Sequence, residues 1–312
     1  EHEQHLFVDE VSYFLTIDNQ SGGKRIVSKD VFSNPSKTIT SFNAYTYHEA
    51  ELENLIQSGR KWFGERFSYD SKKSFSFSLP NLIPSEYVHV KVAVAARSFQ
   101  NSGFKIDLNS SFLTNLSVPV VSPAYAQEYA KEASVITQYF SSISNLNLEV
   151  EYSSLDNGAE AWLDYIEINA RRKLKLSGSY LNFRDVESLS NEVGEYKIED
   201  GDGFQVWDVT EPTSVCKVVT SVNAGILSFA DSLNILHNYI AFDNSSYLTP
   251  SLKGSVPNQD IHSTSINTEM IIVCHPDFLP AANRLADFHF QTDNMSSVVV
   301  TPQEIYNEFS SG

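Results

Sequence analysis

Cys274 and His275 are the first candidates for chemistry in this sequence, because a thiolate beside a histidine base is a common nucleophile. Adjacent residues of a β-strand point to opposite faces, so these two side chains are poorly placed for a dyad. We predict instead that Cys274 is a buried free thiol and that His275, before Pro276, shapes a strand-to-helix turn. Cys216 is predicted to be a second buried thiol, and a long-range disulfide between the two cysteines stays open.

The acidic run Asp200-Gly201-Asp202-Gly203 raises the possibility of calcium binding. An EF-hand loop needs carboxylates at alternating positions and a glutamate at its twelfth position. Counting from Asp200, the fifth position is Phe204, so the pattern is broken. We predict a polar hairpin turn between strands over 196–198 and 204–206, with a partial calcium site completed from elsewhere as the alternative.

Two glycine-containing stretches, 22–25 and 177–179, are too short for phosphate-binding loops and precede no convincing helix, so both are predicted to be ordinary loops. His2 and His5 are expected to be solvated residues of the terminus. The sequence therefore predicts no catalytic residue, no cofactor-binding residue and no metal ligand in this chain.

Aromatic and basic residues offer binding chemistry rather than catalysis. Trp62, Trp162 and Trp207 could stack on sugars, but the larger expectation for tryptophans in strands is burial in a core. Arg171 and Arg172 form a compact basic pair in an acidic region. The pair is predicted to be solvated charge at a strand end, with docking onto a carboxylate partner as the alternative.

The elements that position these residues are mainly strands over the first two thirds of the chain. Alternating apolar residues mark strands at 75–79, 87–94, 146–152, 204–209 and 237–242, a further strand at 215–222, and one long or two short strands at 162–176. Many short strands with Gly, Pro, Asn and Asp between them predict a β-sandwich or jelly-roll fold for residues 1–248, possibly divided into two subdomains.

The pattern changes at residues 249–269, which have no periodicity and are predicted to be a linker. Residues 270–274 resemble a strand buried on both faces of a parallel sheet, 277–290 a helix, and 298–300 a second buried strand. Thr301 is expected to cap a last helix, with Glu304 as its capping-box partner. Residues 270–312 are thus predicted to be the first β-α-β of a truncated α/β domain, whose uncovered sheet edge would self-associate.

Charge and composition limit the classes of function. With 22 Lys+Arg against 39 Asp+Glu, the net charge is −17, which argues against binding nucleic acid or anionic lipid. No apolar run is long enough to span a membrane, and no signal peptide is apparent, so the chain is expected to be cytosolic or already processed.

The C-terminal stretch resembles the start of the peptidase domain in the gingipain-like cysteine peptidases, family C25, and among them the sortases of type IX secretion systems in Bacteroidota. The resemblance is dense over 258–312, patchy over 46–67 and 160–212, and thin elsewhere. Its residues include His275-Pro276-Asp277-Phe278 and the run from Ile305 to Gly312, with Leu163 to Arg172 and Val206 to Thr210 upstream. Cys274 and Phe290 depart from the family's usual residues.

The resemblance implies a β-rich N-terminal region followed by a caspase-like α/β domain with a Cys–His dyad. The family member removes C-terminal signal domains from secreted cargo at the cell surface. No residue of this chain matches the family's catalytic positions, so the chain is expected to be the inactive front of a cysteine peptidase, with no cofactor. Its expected partners are the rest of the peptidase domain, cargo proteins and secretion components, at the outer-membrane surface or after secretion. The alternative function is a carbohydrate- or protein-binding β module.

Overall fold

The computed structural model describes residues 11–15, 23–123, 128–263 and 268–310. The chain divides into a β-rich unit, Lys24–Leu248, and a smaller unit that includes the residues from Thr249 onward. The strands of the described residues are β1 Val27–Ser28, β2 Lys37–Ile39, β3 Ser41–Glu49, β4 Arg66–Phe67, β5 Lys72–Ser78, β6 Tyr87–Arg97, β7 Ser102–Leu108, β8 Ser111–Val118, β9 Lys131–Phe140, β10 Asn145–Ser154, β11 Glu160–Lys173, β12 Tyr180–Phe183, β13 Val193–Ile198, β14 Gln205–Asp208, β15 Cys216–Lys217, β16 Ser221–Asn223, β17 Ile226–Ser232, β18 Tyr239–Phe242, β19 Met270–Val273 and β20 Ser297–Val300. The helices are α1 Leu279–Asp293 and α2 Pro302–Phe309, and short 3-10 turns lie at Val186–Ser188 and Pro276–Phe278.

The first layer pair of the β-rich unit is an antiparallel sandwich. One sheet has the order β5-β10-β7-β8 and the other β3-β11-β6-β9, with β4 added to β11. Alternation places the apolar residues of β6 and β10 in the core, as their sequences predict. The inward side chains are Val88, Val90, Val92, Val94, Leu146, Leu148, Val150 and Tyr152.

The predicted strand over 162–176 is one long strand, β11, with a bulge between Leu163 and Tyr165. A bulge changes which side chains face the core. Leu163 and Ile166 are both buried, although a regular strand would place them on opposite faces.

The second layer pair has the sheet order β1-β15-β14-β18-β12 opposite β16-β17-β13-β2. Aromatic rings from both sheets meet between them, including Phe183 and Tyr239 with ring centroids 5.2 Å apart and Tyr196 and Phe229 with centroids 4.8 Å apart. The predicted strand at 215–222 is instead two short strands, β15 and β16, which belong to different sheets.

The predicted hairpin around Asp200-Gly201-Asp202-Gly203 is wrong. β13 pairs with β17 and β2, whereas β14 pairs with β15 and β18, so this loop crosses from one sheet to the other. Gly201 permits the crossing, because a Cβ there would lie 2.4 Å from the Cβ of Leu227. Asp200 forms an ion pair with Lys175 at 3.1 Å.

The smaller unit has the predicted β-α-β order, with β19 and β20 parallel. Pro280 lies in the first turn of α1, and Asn294 ends the helix in the left-handed conformation with φ 55°. The capping box of α2 is also confirmed: Glu304 Oε2 accepts from Thr301 N at 2.7 Å, and Thr301 Oγ1 accepts from Glu304 N at 3.3 Å. No helix within the described ranges is long and apolar enough to cross a membrane.

The expectation that β19 is buried on both faces is wrong. Ile271 and Val273 are 66% and 54% exposed. On α1, the predicted apolar face is exposed at Leu285 and Phe288. A crossover helix covers one face of a parallel pair, so the opposite face needs a second layer. The mainly β architecture and the β-α-β segment nevertheless confirm the predicted fold class.

Candidate functional site

Two places in the molecule bring together side chains that could bind a ligand or react: the turn after β19, and a charged cluster inside the second sandwich. At the first, His275 Nδ1 accepts a hydrogen bond from Asp277 N at 3.3 Å and so caps the 3-10 turn. This agrees with the predicted role of His275 in the strand-to-helix turn.

Both cysteines are free thiols, which excludes the disulfide between Cys216 and Cys274. Each is half-buried, so the prediction of full burial is wrong. Cys216 lies on the two-residue strand β15, and Cys274 directly follows the end of β19. The Cys216 Sγ contacts the carbonyl of Ser214 at 3.5 Å.

The prediction that Arg171 and Arg172 are solvated charges is wrong. Arg171 is largely buried, pairs with Asp185, and donates to Asn43 Oδ1 at 3.1 Å. Arg172 donates to the Pro80 carbonyl at 2.5 Å, and burial lowers the pKa of its guanidinium. Both guanidinium groups therefore bind partners within the protein and are not available as a basic surface.

The three tryptophans do not form one stacking surface. Trp162 is fully buried beside Phe63, and its Nε1 donates to Glu53 Oε2 at 2.8 Å. Trp207 is half-buried and packs edge-on against Phe242, while Trp62 is exposed. His2 and His5 lie outside the described residues.

The charged cluster of the second sandwich was missed at the sequence level. It consists of Lys29, Asp208, Asp231, His237 and Tyr239. Lys29 follows β1 and donates to Asp208 Oδ2 at 2.6 Å and to Asp231. Tyr239 Oη donates to Asp231 Oδ2 at 2.6 Å. His237 Nδ1 lies 3.0 Å from Asp208 Oδ2.

Burial and hydrogen bonding decide the protonation of this cluster. Burial alone raises the pKa of Asp208, but hydrogen bonds from His237, Lys29 and Thr210 outweigh it and hold that pKa below its ordinary value. Burial, then the nearby charge of Asp231, raises the pKa of Tyr239, so its hydroxyl remains a donor. Asp208 therefore remains an ionised carboxylate that accepts hydrogen bonds beside the Lys29 ammonium.

The alternation of the strands contained a signal for this cluster. Asp208 shares the inward face of β14 with Val206, and Asp231 shares that of β17 with Leu227 and Phe229. A carboxylate at an inward position is costly unless it is paired, so each one marks a buried polar arrangement.

Three of the cluster's residues could also hold a metal ion. Asp208, Asp231 and His237 place one ligand atom each within 4.8 Å of one another. The Lys29 ammonium already binds both carboxylates, so a cation of the chain itself occupies the space between them. The expectation of no metal and no cofactor stays a prediction.

Comparisons with known proteins bear on the chain as a whole. The profile described as Peptidase family C25 matches residues 263–312. The crystal structure of dimeric latent PorU from Porphyromonas gingivalis matches with a TM-score of 0.77 and 22% identity, covering 92% of this chain and 28% of that one. This chain thus spans less than a third of the PorU chain.

A second solved structure is only distantly similar. A carbohydrate-binding module, CBM36 in complex with calcium and xylotriose, matches with a TM-score of 0.26 and 11% identity, covering 42% of this chain and 99% of that one. Among curated proteins, none matches. Residues 263–312 are thus similar to Peptidase family C25 and follow a β-rich region with the fold of PorU, which confirms the predicted resemblance to the gingipain-like peptidases.

Proposed function

We propose that this chain is the non-catalytic N-terminal portion of a cell-surface cysteine peptidase related to the type IX secretion sortases, which remove C-terminal signal domains from secreted cargo. The observation that carries the proposal is a family C25 segment joined to a PorU-like β fold. On this proposal residues 1–248 support the peptidase domain, 249–269 connect the two regions, and 270–312 begin the peptidase domain at the outer-membrane surface or after secretion.

The surroundings of the cysteines support the non-catalytic role. Within the described ranges, neither Cys216 nor Cys274 has a hydrogen bond between its thiol and a histidine. A thiol nucleophile needs a base within hydrogen-bond reach. When this chain is incubated with a peptide library, we expect no hydrolysis that thiol alkylation can inhibit. Alkylation-sensitive cleavage that disappears in Cys274→Ser would contradict the proposal.

The exposed apolar side chains of the smaller unit support a contact with further peptidase-domain elements. Leu285 on α1 is exposed, as are Ile271 and Val273 on β19. In the parent protein, Leu285→Asp is expected to reduce the removal of signal domains from cargo. Asn283→Asp, at an exposed polar position of the same helix, is the matched control and should leave processing unchanged. Equal processing by both variants would contradict a supporting role for this face.

For the chain studied alone, the same exposed side chains predict weak self-association. We expect sedimentation velocity to show an average mass that rises with concentration, and Ile271→Lys to reduce the rise. A strictly monomeric chain over the accessible concentrations would contradict this prediction.

A further inference from the structure

The charged cluster of the second sandwich holds an amine and a carboxyl group in a nearly dry place. The side chain of Asp231 is 1% exposed, that of Asp208 10%, and that of Lys29 19%. Two rings lie beside them: His237 stacks on Tyr239 with centroids 5.5 Å apart, and the Lys29 Nζ lies 6.0 Å from the centre of the Tyr239 ring. An ammonium and a carboxylate differ from an amide by one water molecule, so a site that excludes water favours the amide.

The donors around Asp231 treat its two oxygens differently. Oδ2 accepts from the Tyr239 hydroxyl at 2.6 Å and from the Lys29 ammonium. Oδ1 accepts from the backbone amide of Ser232 at 2.8 Å, and a fixed N–H donor stabilises negative charge on that oxygen. Oδ1 is thus suited to be the oxyanion of an addition step, and Oδ2, which touches the ammonium, to be the leaving oxygen.

A proton path connects the amine to that leaving oxygen. Lys29 Nζ donates to Asp208 Oδ2 at 2.6 Å, and the same oxygen lies 3.0 Å from His237 Nδ1. Lys29 Nζ also donates to Asp231 Oδ2, so the ammonium touches both carboxylates. One proton can therefore pass from the ammonium directly to Asp231 Oδ2, and Asp208 can receive a second proton and return it to the same oxygen, ending in its starting state.

We propose that Lys29 and Asp231 form an intramolecular isopeptide bond. Lys29 Nζ gives one proton to Asp231 Oδ2, so that a neutral amine faces a neutral carboxylic acid. The amine then attacks Cγ of Asp231 and gives a second proton to Asp208, forming the N–C bond while negative charge collects on Oδ1. The bond from Cγ to Oδ2 then breaks, and Oδ2 leaves as water with the two protons that the ammonium loses, one received directly and one returned by Asp208. The products are one secondary amide and one water, with no oxidant, reductant or other reactant. Holding the amine against the acid replaces a bimolecular step by an intramolecular one.

An amide at this position would hold the short strand β1 in place. β1 is held to β15 by only two paired residues, Val27 with Cys216 and Ser28 with Lys217. Asp231 lies on β17, in the opposite sheet and 202 residues further along the chain. The amide would fasten this short strand across the core, in a protein whose two cysteines form no disulfide.

Intact mass spectrometry of the purified chain after denaturation tests the proposal. We expect a mass below the sequence mass by one water molecule, and a tryptic fragment that joins the Lys29 and Asp231 peptides. Lys29→Arg preserves the positive charge but cannot form this amide, so its mass should equal its sequence mass. Lys37→Arg, on β2 and outside the charged cluster, is the matched control and should retain the loss of water.

Two further results decide between a covalent bond and an ordinary buried ion pair. Asp208→Asn retains shape but removes the proton acceptor, and we expect the loss of water to become slower or absent while the circular dichroism of the chain is unchanged. A wild-type chain at its full sequence mass, after prolonged incubation in the folded state, would show that the cluster is an ion pair only. A linked fragment that contains Asp208 in place of Asp231 would overturn the assigned roles.

Discussion

The β-rich unit buries the apolar side chains of its strands, whereas the smaller α/β unit leaves similar side chains exposed to solvent. Leu148 on β10 is fully buried, whereas Ile271 on β19 is 66% exposed. Two facing antiparallel sheets supply both sides of a core from one stretch of chain. A parallel strand pair with one crossover helix covers a single face. Apolar alternation therefore produced a core only where the fold provided a second layer.

The two units also differ in the kind of polar interaction that they contain. The β-rich unit contains buried ion pairs, such as Arg171 with Asp185. The smaller unit uses side chains that cap turns and helix ends, such as Thr301 and Glu308. Buried charges depend on their partners far more than capping groups near solvent do, which sets the order of expected effects.

Removing one partner of the buried ion pair should have the largest effect. Asp185→Ala removes the buried carboxylate partner of Arg171 and leaves the exposed Glu187 carboxylate at 3.7 Å, so we expect the β-rich unit to lose about 3–5 kcal/mol of unfolding free energy. Urea unfolding followed by tryptophan fluorescence measures it, because Trp62, Trp162 and Trp207 all lie in that unit. Lys197→Ala, which breaks a partly exposed pair with Glu195 at 3.0 Å, is the control and should cost no more than about 1 kcal/mol.

Truncating matched apolar side chains tests the comparison directly. Leu148→Ala should cost about 2–5 kcal/mol, because it leaves a cavity between two sheets. Ile271→Ala should change stability by less than about 0.5 kcal/mol, because its side chain is largely solvated. Urea unfolding followed by fluorescence measures the first change, and amide hydrogen exchange over 270–300 the second. Similar costs at both sites would mean that β19 is covered after all.

The capping box offers a smaller effect confined to one helix. Thr301→Ala removes the acceptor for the Glu304 amide, and a lost N-cap typically costs about 1 kcal/mol. We expect faster amide exchange in α2 with no change in the urea midpoint of the β-rich unit. Thr301→Ser retains the hydroxyl and should preserve protection.

The smallest effect should depend on pH. Glu308 accepts hydrogen bonds from Gln259 Nε2 at 3.0 Å, from Ile261 N at 2.8 Å and from His262 N at 2.6 Å. The hydrogen bond from Gln259, followed by those from Ile261 and His262, outweighs partial desolvation and lowers the pKa of Glu308 to about 2.

Because the folded pKa lies below the ordinary value of 4.5, this carboxylate stabilises the turn above that pH. The stabilisation should fall as the pH drops from 4.5 towards 2. The protection factors of the amides in 259–263, which correct for the intrinsic pH dependence of exchange, should fall over this window in the wild type. Glu308→Gln should remove the pH dependence, and a wild-type profile as flat as that of this variant would contradict the assignment.

Sequence patterns predicted the strands and caps well, because those depend on neighbouring residues. The valines of β6, the capping box at Thr301 and the left-handed end of α1 at Asn294 all follow from local geometry. The pairing of strands did not follow, since it depends on distant partners. The hairpin expected around Asp200 was wrong for that reason, as β13 and β14 each pair with strands elsewhere.

The sequence by itself determined the mainly β fold, the change of pattern near residue 249 and the resemblance to the gingipain-like peptidases. Only the tertiary structure decided where the charges lie. Lys29, Asp208 and Asp231 are separated by as many as 202 residues, yet their side chains meet inside one sandwich. No local rule can relate residues so far apart, because their contact depends on which strands the two sheets bring together.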